Sequence, residues 1–437
     1  MNDPVASIRR AFVLAAVLVA VFAHSLVLAG PARRVILMIS DGQGYDTVNA
    51  AAFFSGKRPV FESFPVRLAM QTFSASNDFQ TNPRGYDPRR AGREDAYVLS
   101  HAADSAAAAS AMFSGVKVRD GCLNIGPGGE RLETVFEMLA GKGMAIGVVS
   151  SVPWWHATPG AVAAHNANRK AYASIGREML DCGRLTVIMG TGHLDFDDDG
   201  ERTWRLFLPL ESRRLWNDVK TGQTPYQVIE TKEDFDALAA NTLTLTRGGR
   251  LLGIPRAFLT LQQARTRGNP QEVDPLTFNP GVPSIAVMAL GALNVLGRFP
   301  GGFAAMIESG GAVDWAAHEN QQGRLIEEEL AHHEAVRVVY DWVRAGDPDF
   351  RETLLIVTAD HETGRLRVKD RGPGRLPAIS FGSKDHTNRL VPLYAIGAGS
   401  ELFSKHVLGR DPVRGDYIDN TAIASVIREA ARRDIPE

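Results

Sequence analysis

The sequence predicts an α/β fold built on a mostly parallel sheet with helices on both faces. Three observations predict it. Six short apolar runs are continuous rather than alternating, as strands buried on both faces are. Helix-like stretches separate them, which is what the crossovers of a parallel sheet require. Three of the runs stop abruptly at Asp, Glu or Asp-His, and such sheets carry their chemistry beyond the carboxyl ends of their strands. The chain has 437 residues, 44% of them hydrophobic and 22% charged. That is an ordinary globular balance with ample length for a large core. A formal net charge of −2 gives no electrostatic case for nucleic acid as a specific partner.

Residues 1–29 read as an export signal rather than as part of the fold. Arg9 and Arg10 precede an apolar stretch from Ala11 to Ala23, and small residues at Val27-Leu-Ala29 suit cleavage before Gly30. Arg9-Arg10-Ala11-Phe12 also has the look of a twin-arginine signal. An uncleaved anchor is the alternative, disfavoured by His24 within a stretch of about 19 residues. The expectation is a periplasmic or secreted protein with no stable membrane insertion after cleavage. Residues 30–437 are expected to form one domain. Two cysteines, Cys122 and Cys182, are available for a disulfide in an oxidising compartment. They are too few for a cysteine-based zinc site, so any zinc here needs His and carboxylate ligands.

Along the chain, the first strand, Val35–Ile39, runs into Ser40-Asp41-Gly42. A helix is expected over His101–Gly115: alanine favours it, Asp104 and Ser105 suit its start, and Gly115 suits its exit. Ser105 is either a cap or a hydroxyl facing an anion at the positive end of that helix. Further helices are expected at Leu132–Gly141, Lys170–Leu180, Arg324–Val343 and Asn420–Arg432, and strands at Ala145–Val149 and Leu185–Met189. In His156-Ala-Thr158-Pro, Thr158 offers a hydroxyl to a hard cation. Arg169 offers a planar fork that matches two phosphate oxygens.

Asp195-Phe-Asp197-Asp198-Asp199-Gly200 opens like a calcium loop, but Leu206 stands where that loop needs Glu, so an acidic turn is favoured. The region 200–283, rich in turn residues, reads as an insertion over the rim of the site. His332 and His333 read as surface or packing residues. The strand Phe303–Ile307 ends in Glu308. Asp314 and His318 follow four residues apart, on one face if a helix starts there. Thr353–Val357 runs into Thr358-Ala-Asp360-His361-Glu-Thr-Gly364, and His386 precedes the strand Val391–Ile396. Carboxylates gathered from three strand ends repel one another unless cations lie among them, so two or three bound metals are expected.

Taken in order, these motifs resemble the alkaline phosphatases, the two-zinc, one-magnesium phosphomonoesterases. The resemblance rests on Ser-Asp41-Gly, Asp104-Ser105-Ala, His-Ala-Thr158-Pro with Arg169, Glu308 with Asp314-Trp-Ala-Ala-His318, Thr-Ala-Asp360-His361-Glu-Thr-Gly and His386-Thr. It covers about Val35 to Gly399. It implies a three-layer α/β/α sandwich. It implies two zinc ions (Zn2+), one held by Asp314, His318 and His386, the other by Asp41, Asp360 and His361 with Ser105. It implies one magnesium ion (Mg2+) on Asp41, Thr158 and Glu308. Ser105 would be the nucleophile, Arg169 the phosphate clamp, and Asp104 its orienting partner. His156 and Trp315, where some members carry Asp and Lys, would line the substrate site. Small-molecule phosphate monoesters would be the substrates, and a homodimer is expected because members often form one.

The family pattern Glu-Gly-Gly-x-x-Asp is one residue longer here, as Glu308-Ser309-Gly-Gly-Ala-Val-Asp314. Either the glycines absorb Ser309 in a wider turn, or Glu308 shifts and the magnesium position weakens while both zinc positions stand. A phosphodiesterase of the same superfamily and a catalytically inactive phosphate-binding protein are the competing readings. A sulfatase is disfavoured because Ser105 lacks the Cys/Ser-x-Pro-x-Arg context.

Overall fold

A computed structural model describes residues 31–76, 85–203 and 209–432. The export signal expected at residues 1–29 lies outside them. The centre is an eleven-stranded sheet. In chain order its strands are β1 (Arg34–Ile39), β2 (Val66–Gln71), β3 (Ala145–Pro153), β4 (Leu185–Thr191), β5 (Gln227–Ile229) and β6 (Leu251–Gly253). They continue with β7 (Phe303–Glu308), β8 (Thr353–Thr358), β9 (Val391–Gly397), β10 (Gly409–Asp411) and β11 (Gly415–Asp419). Across the sheet the order is β10-β11-β2-β9-β8-β1-β7-β3-β4-β6-β5. The block from β8 to β5 is wholly parallel.

The central strand β1 shows why both faces are covered. Val35, Leu37 and Ile39 enter one buried cluster, and Ile36 and Met38 enter the other. With side chains alternating across the pleat, a strand apolar at every position needs a helical layer on each side. On the first face lie α2 (Ser105–Ser114), α3 (Val135–Gly141), α5 (Tyr172–Asp181), α6 (Leu210–Lys220) and α10 (Ala422–Ala430). On the second lie α1 (Tyr45–Ser55), α7 (Ile285–Leu296) and α9 (Gln322–Gly346). Two short helices, α4 (Ala157–Gly160) and α8 (Gly311–His318), follow strands at the carboxyl edge. The result is a three-layer α/β/α sandwich.

Register brings the strand ends level. Ile39 pairs with Glu308 and with Thr358, and Glu308 pairs with Ser150. Asp41 and Asp360 therefore stand two residues past one shared row. The strand at 391–397 departs from the parallel pattern: β9 runs antiparallel to both β8 and β2. Its beginning, not its end, lies at the carboxyl edge of β8. This is why His386, just before β9, reaches the residues that follow β8. A short antiparallel pair, His386–Thr387 with Glu362–Thr363, fixes the approach.

Part of the 200–283 segment extends the sheet, as β5 and β6 join its edge beside β4. The acidic turn at 195–199 is knitted to its surroundings. Asp195 takes bonds from Trp216 and Lys220, Asp198 from the amides of Leu259 and Thr260, and Asp199 from Thr266. Cys122 and Cys182, whose pairing the sequence leaves open, are free thiols. His332 and His333 are packing residues, buried on α9, and not surface residues. No helix among the described residues is long and apolar enough to cross a membrane.

Candidate metal centre

Three imidazoles meet at the carboxyl edge of the sheet, and their hydrogen bonds decide which way each ring's lone pair points. His386 Nδ1 lies 2.9 Å from the Ala103 carbonyl, and His318 Nδ1 contacts the Lys384 carbonyl. A carbonyl only accepts, so each Nδ1 carries the proton and each Nε2 carries a lone pair. For His361 the same follows through Thr363. The Thr363 hydroxyl donates to Asp314 Oδ1 at 2.5 Å, and His361 Nδ1 lies 3.3 Å from that hydroxyl. With its proton spent on Asp314, Thr363 accepts from His361, which leaves His361 Nε2 as a lone pair too.

These lone pairs face acceptors. His318 Nε2 is 3.1 Å from His386 Nε2 and 3.2 Å from Asp314 Oδ2, and His386 Nε2 is 3.5 Å from Asp314 Oδ1. His361 Nε2 is 3.2 Å from Asp360 Oδ2 and 3.4 Å from Asp41 Oδ1. Such groups repel unless a proton or a cation lies among them. Asp314, His361 and His386 form one group of converging donors, and Asp41, Asp360 and His361 another. His361 belongs to both, with its ring stacked on His386 at 3.6 Å between centroids. His318 adds its Nε2 to the first group from one turn along α8.

Beside them lies an oxygen-rich pocket. Asp41 Oδ1 and Oδ2, Asp360 Oδ2, Glu308 Oε1 and Thr158 Oγ1 are all buried and, apart from one another, have no hydrogen-bond partner. Unpaired buried oxygens are costly, so five together demand a compensating charge. The donor types sort by hardness: nitrogens with carboxylates suit zinc, and carboxylates with a hydroxyl suit magnesium. The residues present fit both cations.

The electrostatics agree. Burial, then the neighbouring carboxylates Asp360, Asp314 and Glu308, raise the Asp41 pKa well above its ordinary value. Burial pushes Glu308 up to about 8 against the pull of its Ser150 hydrogen bond, and burial with Asp314 pushes Asp360 to about 6. Asp314 goes the other way: burial opposes, but His386 and His318 hold it well below the carboxylate range. Without a cation a second proton takes its place on His386: burial opposes it, but Asp314 raises the pKa to about 9. Burial together with that charge keeps His361 neutral.

Ser105 is the first residue of α2, and its Oγ is 3.2 Å from His361 Nε2. Asp104 caps the helix with Oδ1 on the Ala107 amide at 2.9 Å. Its Oδ2 takes the Gly121 amide and Arg169 Nη1, each at 2.9 Å. One carboxylate thus fixes both the start of the helix and the guanidinium beside it. His156 caps α4, and its ring meets Trp315 edge-on at 5.6 Å. Close approach of the strand ends needs glycine. A Cβ on Gly42, at φ +76°, would lie 2.8 Å from the Asp314 Cα, and one on Gly310 would lie 2.2 Å from Ser40 Oγ.

The structure brings Asp41, Ser105, Thr158, Arg169, Glu308, Asp314, His318, Asp360, His361 and His386 to one place. Sequence reasoning missed Thr363 and Ser150. Ser150 donates to Glu308 Oε2, and it lies in β3, which runs to Pro153 rather than ending at Val149. The signal was a pair of hydroxyls, Ser150-Ser151, at the carboxyl end of a buried strand.

Residues 32–407 match the family model described as alkaline phosphatase. Alkaline phosphatase 3 of Bacillus subtilis (strain 168) is 23% identical over 341 residues, covering 77% of this chain but 62% of that protein. The chain thus spans just under two thirds of that relative's length. Alkaline phosphatase of Escherichia coli (strain K12) is 26% identical over 423 residues, covering 84% of this chain and 81% of that one. The solved structure of alkaline phosphatase from the Antarctic bacterium TAB5 superposes with a TM-score of 0.66 at 22% identity, over 92% of this chain and 98% of that one. A variant of that protein holds magnesium in its M3 site.

Proposed function

The chain belongs to the alkaline phosphatase family, and on that premise we propose that it hydrolyses phosphate monoesters and releases inorganic phosphate through a phosphoserine on Ser105. The observation that carries the proposal is convergence. A buried hydroxyl at a helix start lies 3.2 Å from the imidazole that two clusters of metal donors share, and the residue before it anchors the Arg169 guanidinium at 2.9 Å.

Asp314, His318 and His386 would hold one zinc, and Asp41, Asp360 and His361 the other. Asp41, Thr158 and Glu308 would hold magnesium, in keeping with the magnesium found in the TAB5 variant. When bound, the cations supply positive charge that acidifies hydroxyls and stabilises the attacking and leaving oxygens of an in-line displacement.

The chain's own residues do the rest. Ser105 Oγ attacks phosphorus, forming the Oγ–P bond as the bond to the leaving oxygen breaks. A water then attacks the phosphoserine, freeing phosphate and restoring the hydroxyl. Arg169 holds two non-bridging oxygens through both steps, and Asp104 keeps its fork aimed. The amino end of α2 adds its partial positive charge beneath the phosphate. Residues 1–29 support export to the periplasm or medium on sequence grounds, and a homodimer is proposed by analogy with the family.

Hydrolysis of p-nitrophenyl phosphate by protein loaded with zinc and magnesium tests the proposal, beside Ser105→Ala and the bis(p-nitrophenyl) ester. The expected result is a fast monoester reaction, a slow diester reaction, and a mutant that keeps its metals but loses most activity. Full activity in Ser105→Ala, or a faster diester reaction, would sink it.

A further inference from the structure

A cavity of about 670 Å³ is walled by His156 and Trp315 and by Lys170, the residue after Arg169. Trp315 follows the metal-ligand candidate Asp314, and His156 stands two residues before Thr158. Trp155, Tyr172, Trp216 and Leu259 complete the apolar lining, contributed by the end of β3, the start of α5, α6 and the segment after β6. Lys170 and Glu211 are the charged members of the wall.

The aromatic surface is built rather than incidental. The Trp155 ring lies where a Cβ on Gly192 would sit, 2.5 Å from its nearest atom, so only glycine lets the ring seat there. Trp155 also packs edge-on against Trp154 at 5.0 Å, and His156 lies parallel to Tyr172 at 6.5 Å. A preformed concave site lined by aromatic rings, with few polar groups, recognises a planar apolar ligand. The volume is that of a drug-sized molecule, far more than a methyl or glyceryl group fills. An in-line displacement directs the leaving oxygen away from Ser105, and Trp315 and Lys170, each next in sequence to a residue of the centre, carry the cavity wall toward it.

We propose that this cavity receives the leaving group, and that the preferred substrates are phosphate monoesters of apolar, ring-bearing alcohols. The inference rests on the phosphomonoesterase reading and sharpens it. Small polar esters such as ethyl or glycerol phosphate would use the metal centre alone and gain nothing from the rings. Tyr172 and Leu259 stand at the opening, 40% and 36% exposed, and so present their apolar faces to an arriving ligand.

The test compares kcat/KM for 2-(2-naphthyl)ethyl phosphate and ethyl phosphate on the full, metal-loaded chain. Both leaving groups are simple alkoxides, so the ratio reports binding rather than leaving-group acidity. The expected ratio favours the naphthyl ester by about 30-fold or more, since each buried CH₂-sized unit contributes about a fourfold gain. Leu259→Asp and Tyr172→Ser are each expected to cut that ratio about tenfold, with unchanged melting temperature. A wild-type ratio near one, or variants that keep the wild-type ratio, would overturn the proposal. If neither ester is hydrolysed, the phosphomonoesterase reading fails, and calorimetric titration with 2-(2-naphthyl)ethanol decides the cavity separately. Saturable binding lost in Leu259→Asp supports the apolar site, and no binding overturns it.

Discussion

Ser309 Oγ lies 2.7 Å from His332 Nδ1, tying the turn after β7 to the middle of α9. Ser309 is the residue by which this turn exceeds the family pattern. Glu308 before it is the last residue of β7, in register with Ile39 and Ser150. Ser309 turns into the layer behind the sheet, and Gly310 packs its bare Cα against Ser40. The same helix also holds the turn that carries Asp41. Ser40, beside Asp41, donates to Glu329 Oε2 at 3.1 Å, and Glu329 Oε1 meets His333 Nε2 at 3.0 Å. Glu329, His332 and His333 follow the i, i+3, i+4 spacing of one helix face. Phe61 covers both histidines, with ring centroids 5.9 and 5.4 Å away.

Ser309→Ala tests that tie. It leaves a buried imidazole nitrogen without its partner, which costs about 1–3 kcal/mol. It also frees the turn that aims Glu308. The expected outcome is a lower melting temperature, with magnesium affinity reduced about 10-fold or more as for other groups that orient ligands. Zinc content should stay at the wild-type level. Magnesium activation at an unchanged concentration would show that α9 does not position Glu308.

Thr363→Val addresses the other end of the centre. Its hydroxyl joins Asp314 to His361 and so sets the tautomer of a ring that faces both donor groups. Valine keeps the shape and β-propensity but removes both bonds. Zinc should be lost to chelator about 10–100-fold more readily. Zinc retention equal to wild type in a competition titration would contradict this role.

Much of this centre was legible because each ligand sits in a short local motif at a strand end. Asp41, Glu308 and the pair Asp360-His361 each end an apolar run, and the helix over 105–114 announced itself by Asp104 and Gly115. The rest depends on relations that no local pattern encodes. The direction of β9 decides that His386 arrives from the start of a strand, and a run of apolar residues reads the same either way. Strands of three residues at 227–229 and 251–253 are too short for any periodicity. Ser150, Thr363 and His332 are common residue types whose meaning comes only from the partner that tertiary structure sets opposite them. His332 looked unremarkable on a long helix because its partner Ser309 lies on a separate turn, and His333 because only Ser40, far along the chain, shows what its neighbour Glu329 serves.

Removing the metals should make stability depend on pH with a definite sign. In the metal-free protein Glu308 is raised to about 8 and Asp360 to about 6, with Asp41 raised as well. Unfolded carboxyls titrate near 4. Between those values these carboxyls bind more protons folded than unfolded, so their contribution to stability falls as pH rises to about 8. The buried neutral His156, His332 and His361 oppose this only up to about 6.5, above which His386, raised to about 9, adds to the fall. Asp314, held low by His386, acts oppositely, but only below the ordinary carboxylate range. Chelated protein should therefore melt lower at pH 8 than at pH 5.5, and the gain on adding zinc and magnesium should be larger at pH 8. An apo melting temperature that rises over this interval would refute the repulsive-cluster account.

Asp104→Asn separates the two tasks of one side chain. The amide oxygen still accepts from the Ala107 amide, so the helix cap survives, while the Gly121 amide loses its acceptor, a cost of about 1 kcal/mol. The charge that holds Arg169 is lost, and with it the ion pair at 2.9 Å whose partners are about one-fifth exposed. With its one oxygen on Ala107, Asn turns its NH₂, a donor, toward Arg169 Nη1 and the Gly121 amide, so the guanidinium loses its acceptor. Two non-bridging oxygens then meet a fork that is no longer pre-aimed, and binding pays the ordering cost. The inhibition constant of inorganic phosphate should rise about 10-fold, with zinc and magnesium content unchanged. Asp104→Ala should show the same loss of phosphate affinity plus about 1 kcal/mol of destabilisation from the missing cap. If phosphate inhibits the Asn variant as strongly as wild type, Asp104 serves only the helix, and Arg169 is aimed by its own backbone bond to Gly121.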